Sequence, residues 1–438
     1  MQSNSKLTVS AEAAAASPIR GSRAWLVLGA LAAGLVAGLA AGALPDESSA
    51  PLSSVAAVVG GMWLDALRMT VIPLIVALLV TGVAKGAEAA RAGRIAGRSI
   101  LWFVIICTAS AVFGAIMMPL LLSAIPLPAA AAEALRTSLA AIDPGAAEPP
   151  LPAAADFLRA IIPANVIAAA SNGDVLPLVV FTLLFAIALT RIGEAQRRSV
   201  AAFFEGIADA LLVVISWVLW LAPVGVFALA FVVGAGAGGA AFTGLLHYII
   251  LVSALGLLVT IAGYAIATFA GGVPIAAFAK AMIAPQAVAI STQSSLASLP
   301  AMLASARILG LRERVADITL PLAVALFRAT GPAMNIGVAL YIAHWFGIEI
   351  GATELIAGTA VAAVMSYAAV SLPGTITFFT SIAPIAMAMG VPIAPLALLV
   401  AVETIPDIFR TVGNVTLDVA VTSAVDRGTS DERVSPES

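Results

Sequence analysis

The stretch ETIPDIFRTVGNVTLD, residues 403–418, decides how this chain is read. Its strongly polar members are Glu403, Asp407, Arg410, Asn414 and Asp418, spaced 4, 3, 4 and 4 apart. That rhythm keeps side chains on one face of a helix. Thr411 sits beside Arg410, and Ile405, Ile408, Val412, Val415 and Val419 lie between the polar positions. The chain around them has 438 residues, is 61% hydrophobic and only 10% charged, and has a mean hydropathy of +1.08. Soluble domains run near a quarter charged, so the composition predicts an integral membrane protein. A charge at the bilayer centre costs roughly 2.5–3.5 kcal/mol on insertion scales. Four of them cost on the order of 10 kcal/mol unless they face a partner, water, an ion or a ligand. The stripe is therefore the expected seat of the chemistry.

Composition narrows the alternatives. The net charge is −3 and no basic cluster is present, so nothing points to nucleic acid. The single cysteine, Cys107, excludes an intramolecular disulfide framework. His247 and His344 are the two histidines and lie far apart, which argues against a His/Cys metal site. Residues 1–23 are polar and Ala/Ser-rich and read as a disordered tail. The apolar run Ala24–Leu44 exceeds the roughly 7–15 residues of a signal-peptide core and fits a bilayer crossing. A retained first helix is expected there, a cleaved signal being the competing reading.

Hydropathy predicts further helices near 55–84, 98–125, 160–191, 199–235 and 241–271. Segments near 275–309 and 352–390 are apolar but interrupted by Ser, Pro and Gly, and each precedes a longer helix, near 315–346 and 393–425. The Ala- and Pro-rich stretch 126–156 reads as an exposed loop. Lys and Arg gather at residues 85–98, 191–198, 307–314 and 427–433, whereas the alternate loops carry almost none. By the positive-inside rule both termini are cytoplasmic. Eight full crossings satisfy that count if the two broken segments enter and leave on the same side.

Those broken segments, STQSSLASLPAM and SYAAVSLPGT, share Ser-Leu-Pro at a prospective tip. They read as an inverted pair of re-entrant hairpins, with two kinked helices as the alternative. In RATGPAMNIG, Gly331, Pro332 and Gly337 predict interrupted backbone hydrogen bonding. Carbonyls freed there, with Asn335, Asn414 and Asp418, would make an all-oxygen site suited to an alkali ion. A proline kink whose polar groups pair with each other is the plainer reading. Arg410 carries a permanently charged fork that matches a carboxylate. Asp407, three residues earlier, either pairs with it or takes an ammonium group, and together they read as a detector of zwitterions.

Taken with LRMTVIPLIVALLVTGVA, IIPANVIAAASNGDVLPLVVFTLLFAIAL, STQSSLASLP and NIGVALY, the DIFRTVGNVTLD stretch resembles the dicarboxylate/amino acid:cation symporters, the glutamate transporters and their prokaryotic homologues, over residues 24–425. The resemblance implies an all-α polytopic fold of eight transmembrane helices plus two re-entrant hairpins, arranged as inverted repeats. It also implies a homotrimer in the inner membrane, surrounded by lipid, working as an elevator. Within residues 24–271, helices one, two, four and five would form the scaffold, and helices three and six would join the transport domain. Its core would be residues 272–425, and residues 426–438 would be a cytoplasmic tail. Arg410 would bind the substrate's side-chain carboxylate and Asp407 its amino group. Asn414, with Ser294 and Ser295, would hold the α-carboxylate, Thr411 would support the amino end, and residues 366–376, including Leu372, would form the outer gate. Gly331, Asn335, Asn414 and Asp418 match one sodium site.

The departures are informative. The family's Asn-Met-Asp-Gly-Thr is here Asn335-Ile336-Gly337-Val338-Ala339, and Ala369 stands in the gate where threonine is common. Sodium coupling of the usual kind is thereby put in question. Arg328, seven positions before Asn335, would place a fixed positive charge where the family has a mobile cation, unless it reaches toward the cytoplasmic interface. Glu403 and Asp407 are the carboxylates placed to carry a proton. The expected function is symport of an anionic amino acid, glutamate or aspartate first, driven by Na+ or H+ and needing no cofactor. A carrier for C4-dicarboxylates or neutral amino acids is the runner-up, and a channel is the alternative of another class. No nucleophile–base arrangement on the polar face argues for an enzyme.

Overall fold

A computed structural model describes residues 19–91, 93–140, 162–368 and 374–430. Among them the ordered backbone is helical, in the sequence α1 Ile19–Gly42, α2 Asp46–Arg91, α3 Arg94–Ala124, α4 Ala129–Ala140, α5 Val166–Asn172, α6 Val175–Leu189, α7 Glu194–Trp220, α8 Ala222–Ala237 and α9 Ala240–Phe269. There follow α10 Ile275–Thr292, α11 Ser295–Ile308, α12 Glu313–Leu326, α13 Thr330–Phe346, α14 Ala352–Ala368, α15 Gly374–Ala388, α16 Ala394–Leu399 and α17 Thr404–Ser430. Seven stretches among the described residues are long and apolar enough to cross a bilayer: Trp25–Gly42, Ser49–Arg91, Arg94–Ala124, Glu194–Trp220, Ala240–Phe269, Ile275–Thr292 and Glu313–Phe346. The last helix, α17, is not among them, because Asp407, Arg410 and Asp418 interrupt its apolar character.

Small residues let the helices meet closely. Gly34, Gly38 and Gly42 form a stripe along α1, and a Cβ at Gly38 would overlap the Phe231 carbonyl of α8. In a lipid environment such close backbone contact is what holds helices together. Trp63 of α2 fills the notch left by Gly225 of α8 and donates its indole N–H to the Val218 carbonyl of α7 at 2.9 Å. On the other side, α9 packs along α17, and α3 packs along α13. Gly256 of α9 lies against Met334 and Phe409, and Gly413 of α17 leaves room for Thr330. Large apolar side chains such as Trp25, Leu101, Trp217, Trp220 and Leu257 remain exposed on the outside of these helices, as a lipid-facing surface requires.

Several expected boundaries move. The helix expected at 24–44 starts at Ile19, inside the stretch read as a disordered tail; residues 1–18 lie outside the described residues. At the other end, α17 runs five residues past 425, and the expected cytoplasmic tail begins as helix: Asp426 accepts from the Arg312 Nε at 2.7 Å. Residues 431–438 are not described. The expected loop at 126–156 contains α4, an alanine-rich and hence helix-favouring segment that packs on α8 and α9. The helix expected at 160–191 divides at Gly173, which takes the left-handed φ of 78° that ends α5. The helix expected at 199–235 divides at Leu221, where Pro223 starts a new helix in its first turn.

The helices α10 and α11 form a tight antiparallel pair. Their turn is at Gln293, φ 49°, followed by Ser294, whose Oγ accepts from the Ala297 N–H at 3.2 Å and caps α11. The expected tip, Ser298-Leu299-Pro300, lies instead within α11, since the capping serine starts the helix before the proline. The Ser305 hydroxyl donates to the Ala281 carbonyl across the pair at 2.7 Å. Gln286 of α10 ties the hairpin to α17 by donating to the Thr416 hydroxyl at 2.9 Å. Residues 369–373, on which the expected second tip falls, lie outside the described residues, and with them Leu372 and Ala369.

Candidate functional site

Two helix starts build the site. Both α13 and α17 open on Thr-X-Pro: Thr330-Gly331-Pro332 and Thr404-Ile405-Pro406. A proline in the first turn lacks an N–H that would have no helical partner there, so it fits a helix start. The interruption expected at Gly331 and Pro332 therefore falls upstream, at Phe327–Ala329, and Pro332 lies in the helix that follows. Arg328 is consequently not on one continuous helix with Asn335; it sits in the break. Phe327 stacks on Phe103 of α3 with ring centroids 4.5 Å apart, and the Ser110 hydroxyl of α3 donates to the Ala329 carbonyl at 2.5 Å. One of the freed carbonyls is thus already satisfied by protein. A second break, Val400–Glu403, precedes α17, and the Glu403 carbonyl accepts the Asp407 N–H at 2.8 Å.

Arg410 is the hub. The residue is 9% exposed, with Nη2 paired to Glu403 Oε1 and Nη1 donating to the Asn335 amide oxygen at 2.6 Å. Its Nε lies 3.5 Å from Asp407 Oδ1, close enough for an ion pair but without hydrogen-bond geometry. The main carboxylate on Arg410 is therefore Glu403 and not Asp407, because the turn before α17 brings Glu403 back over the helix. The other Glu403 oxygen accepts from the Tyr248 hydroxyl of α9 at 3.0 Å. Thr411 is buried and donates within α17 to the Asp407 carbonyl at 2.9 Å.

One turn further along, the Asn414 amide oxygen accepts from both the N–H and the hydroxyl of Thr330, at 3.0 and 2.6 Å. The Thr330 hydroxyl is also within 2.8 Å of the Arg410 carbonyl. Asn335 faces Arg410, so Thr330 is the α13 residue that engages Asn414. Both carboxylate oxygens of Asp418 are fully buried and have no hydrogen-bond partner among the described residues. The Arg328 Nε is likewise buried without a partner, and the Arg328 charge is near enough to attract Asp407 and Asp418 and to repel Arg410. An uncompensated buried charge costs several kcal/mol, so these groups call for a counter-charge or a proton.

A cavity of about 20 Å³ opens here, lined by Arg328, Gly331, Asn335, Ser366, Thr377, Ser381, Arg410 and Asn414. That is room for about one water or one small ion. Ser294 and Ser295 do not line it; they stay at the turn between α10 and α11. Of the expected residues, then, the structure brings together Arg410, Asp407, Asn414, Gly331, Asn335, Arg328 and Glu403, with Asp418 behind them. Sequence reasoning missed Thr330, Thr377, Ser381 and Tyr248. The pair Thr377 and Ser381, four apart in an apolar arm, was a readable signal. Tyr248 gave none, since its partner lies 155 positions away. No group of three or more His, Cys, Asp or Glu that could hold a metal occurs among the described residues.

Comparison with known proteins identifies the family. The chain is 30% identical over 364 residues to a proton/sodium-glutamate symport protein of Bacillus subtilis, covering 82% of each chain. It is 24% identical to a proton/glutamate-aspartate symporter of Escherichia coli, covering 91% of this chain and 90% of that one. A C4-dicarboxylate transport protein of Laribacter hongkongensis is 26% identical, with 87% and 84% covered. The sequence profile described as the sodium:dicarboxylate symporter family matches residues 24–428, nearly the whole helical assembly that surrounds Arg410. The chain belongs to the sodium:dicarboxylate symporter family, whose members are transporters.

Proposed function

We propose that this protein is a symporter for acidic amino acids, glutamate or aspartate, working as an elevator. The observation that carries the reading is Arg410, buried in an apolar bundle beside Asp407, Glu403, Asn335 and Asn414. Arg410 takes the side-chain carboxylate, and Asp407, which has no hydrogen bond to Arg410, takes the ammonium group. Asn414 takes the α-carboxylate, with the backbone around Ser294 and Ser295 moving in from the α10–α11 turn outside the present cavity; Thr411 stands behind the amino end, and Leu372 belongs to the outer gate. Gly331, Asn335, Asn414 and Asp418 are the sodium ligands of this reading. Arg328 supplies a tethered positive charge beside Asp418, and Glu403 is placed to carry a proton, so sodium need not be the sole driving ion.

The moving unit comprises α3, α9 and α10–α17, sliding against α1, α2 and α5–α8 in a homotrimer of the inner membrane. Both termini face the cytoplasm, and the chain makes eight crossings and two hairpins. Packing of α3 on α13 and of α9 on α17, with α1 bound tightly to α8, supports that division. The names of the relatives favour one second reading, a C4-dicarboxylate carrier, in which Asp407 has no ammonium partner. Counterflow uptake in proteoliposomes with glutamate, aspartate, succinate and serine, under imposed sodium or proton gradients, tests both. Preference for succinate would select the second, and unsaturable flux would indicate a channel.

A further inference from the structure

Tyr248 and Glu403 form a clasp on Arg410. Resting on the assignment of Arg410 to a substrate carboxylate, we propose that Glu403 is a built-in competitor for that carboxylate, positioned by Tyr248, and that this pair sets the affinity of the site.

The argument begins with donors. A guanidinium grips a carboxylate through two neighbouring N–H groups on one edge. Here Nη2 is held by Glu403, Nη1 by Asn335, and Nε faces Asp407 at 3.5 Å. Both two-donor edges, Nε with Nη2 and Nη1 with Nη2, include the nitrogen that Glu403 holds, so an incoming carboxylate meets Glu403 whichever edge it takes. Glu403 is the chemically equivalent group, a carboxylate in place of a carboxylate. Asn335 is neutral, and its amide can turn aside at little electrostatic cost.

Glu403 is also held from behind. The Tyr248 side chain is fully buried, and its ring meets Tyr341 edge-on with centroids 5.4 Å apart. Tyr341 donates to the Gly244 carbonyl at 2.9 Å and lies 3.1 Å from His247 Nδ1; His247 Nε2 is 2.8 Å from the Ile125 carbonyl. The Tyr248 hydroxyl is thus a fixed point of α9, and it aims Glu403 at Arg410. The charged or titratable groups facing Glu403 are Arg410 and Asp407 from its own segment and Tyr248 from α9. A substrate carboxylate would be the third anion on one guanidinium. Displaced Glu403, 2% exposed and left with one neutral donor, would be stabilised by taking a proton from solution. Substrate binding and proton uptake are then linked, and a protonated Glu403 competes less.

The test is saturable uptake of glutamate in proteoliposomes across a pH series. Glu403→Gln keeps the side chain's shape and its acceptor for Tyr248 but removes the competing charge, so KM falls about tenfold. Tyr248→Phe loosens the clasp and lowers KM roughly threefold, and the double variant falls no further than Glu403→Gln. Wild-type KM decreases as pH is lowered, whereas that of Glu403→Gln stays flat. An unchanged or raised KM in Glu403→Gln overturns the proposal. If that variant is not recovered folded, an unchanged KM in Tyr248→Phe with a flat wild-type pH profile overturns it equally. No uptake of glutamate, aspartate or succinate by wild type would instead remove the parent reading, and the clasp with it.

Discussion

The breaks at Phe327–Ala329 and Val400–Glu403 have the same construction and opposite electrostatics. Each ends one helix and begins another on Thr-X-Pro, and each contains a charged residue facing the centre of the bundle. Glu403 in the second break has both oxygens engaged, one by Arg410 and one by Tyr248. The Arg328 Nε in the first is buried without a hydrogen-bond partner among the described residues, and both oxygens of Asp418, which Arg328 attracts, also lack one. Both arrangements sit in surroundings where an unpaired charge is costly. The difference separates two tasks. On the proposed reading, the satisfied break would govern which anion reaches Arg410, and the unsatisfied one would recruit a charge during the cycle, which would place cation coupling there.

The strongest way to break this division is to remove its hub. Arg410→Ala leaves Glu403 and Asp407 buried without their cation, so uptake falls at least about 100-fold and stability drops by about 3–5 kcal/mol. Counterflow and a thermal melt in detergent read the two effects. Retained transport would show that Arg410 does not hold substrate. Next in size, Asp418→Asn removes a buried charge that has no hydrogen-bond partner among the described residues. Uptake falls about tenfold while the melting temperature rises by the equivalent of about 1–3 kcal/mol, and a loss of stability instead would mean that Asp418 is already satisfied.

Arg328→Ala sharpens the comparison by emptying the first break of charge. Uptake of the variant becomes more sodium-dependent, by roughly fivefold in the ratio of rates with and without sodium. Full sodium dependence in the wild type would contradict the tethered-cation reading. The smallest effect is expected of Ser110→Ala, which strips the Ala329 carbonyl of its donor and lowers stability by about 1 kcal/mol with little change in KM.

Much of this arrangement was legible in the chain. The 3, 4, 4 part of the spacing survives folding as a helical face, since Asp407, Arg410, Asn414 and Asp418 share α17 and are buried, while Glu403 lies in the break before it. Spacing works there because a helix is a local structure, and apolar neighbours fix which side is buried. Proline was harder to read. It marks a break, but whether it ends one helix or starts the next depends on the residues before it, and Thr330 and Thr404 tilt the answer toward a start. The clasp was invisible for a different reason. Glu403 looked like one more member of the stripe, and only packing of α9 on α17 supplies Tyr248. The loop expected at 126–156 contains a helix because alanine carries no outward sign of which neighbours will bury it.

Cys107 is the lone thiol of the chain and is wholly buried in α3, in the cluster that contains Phe103, Phe327 and Ala329. A thiol reagent reaches it only when α3 and the first break part. Its labelling rate is therefore a clock on that separation, available in the unmodified protein without engineered reporters. Run with and without substrate, or across sodium concentrations, the clock would tell which ligand loosens the break and which one shuts it.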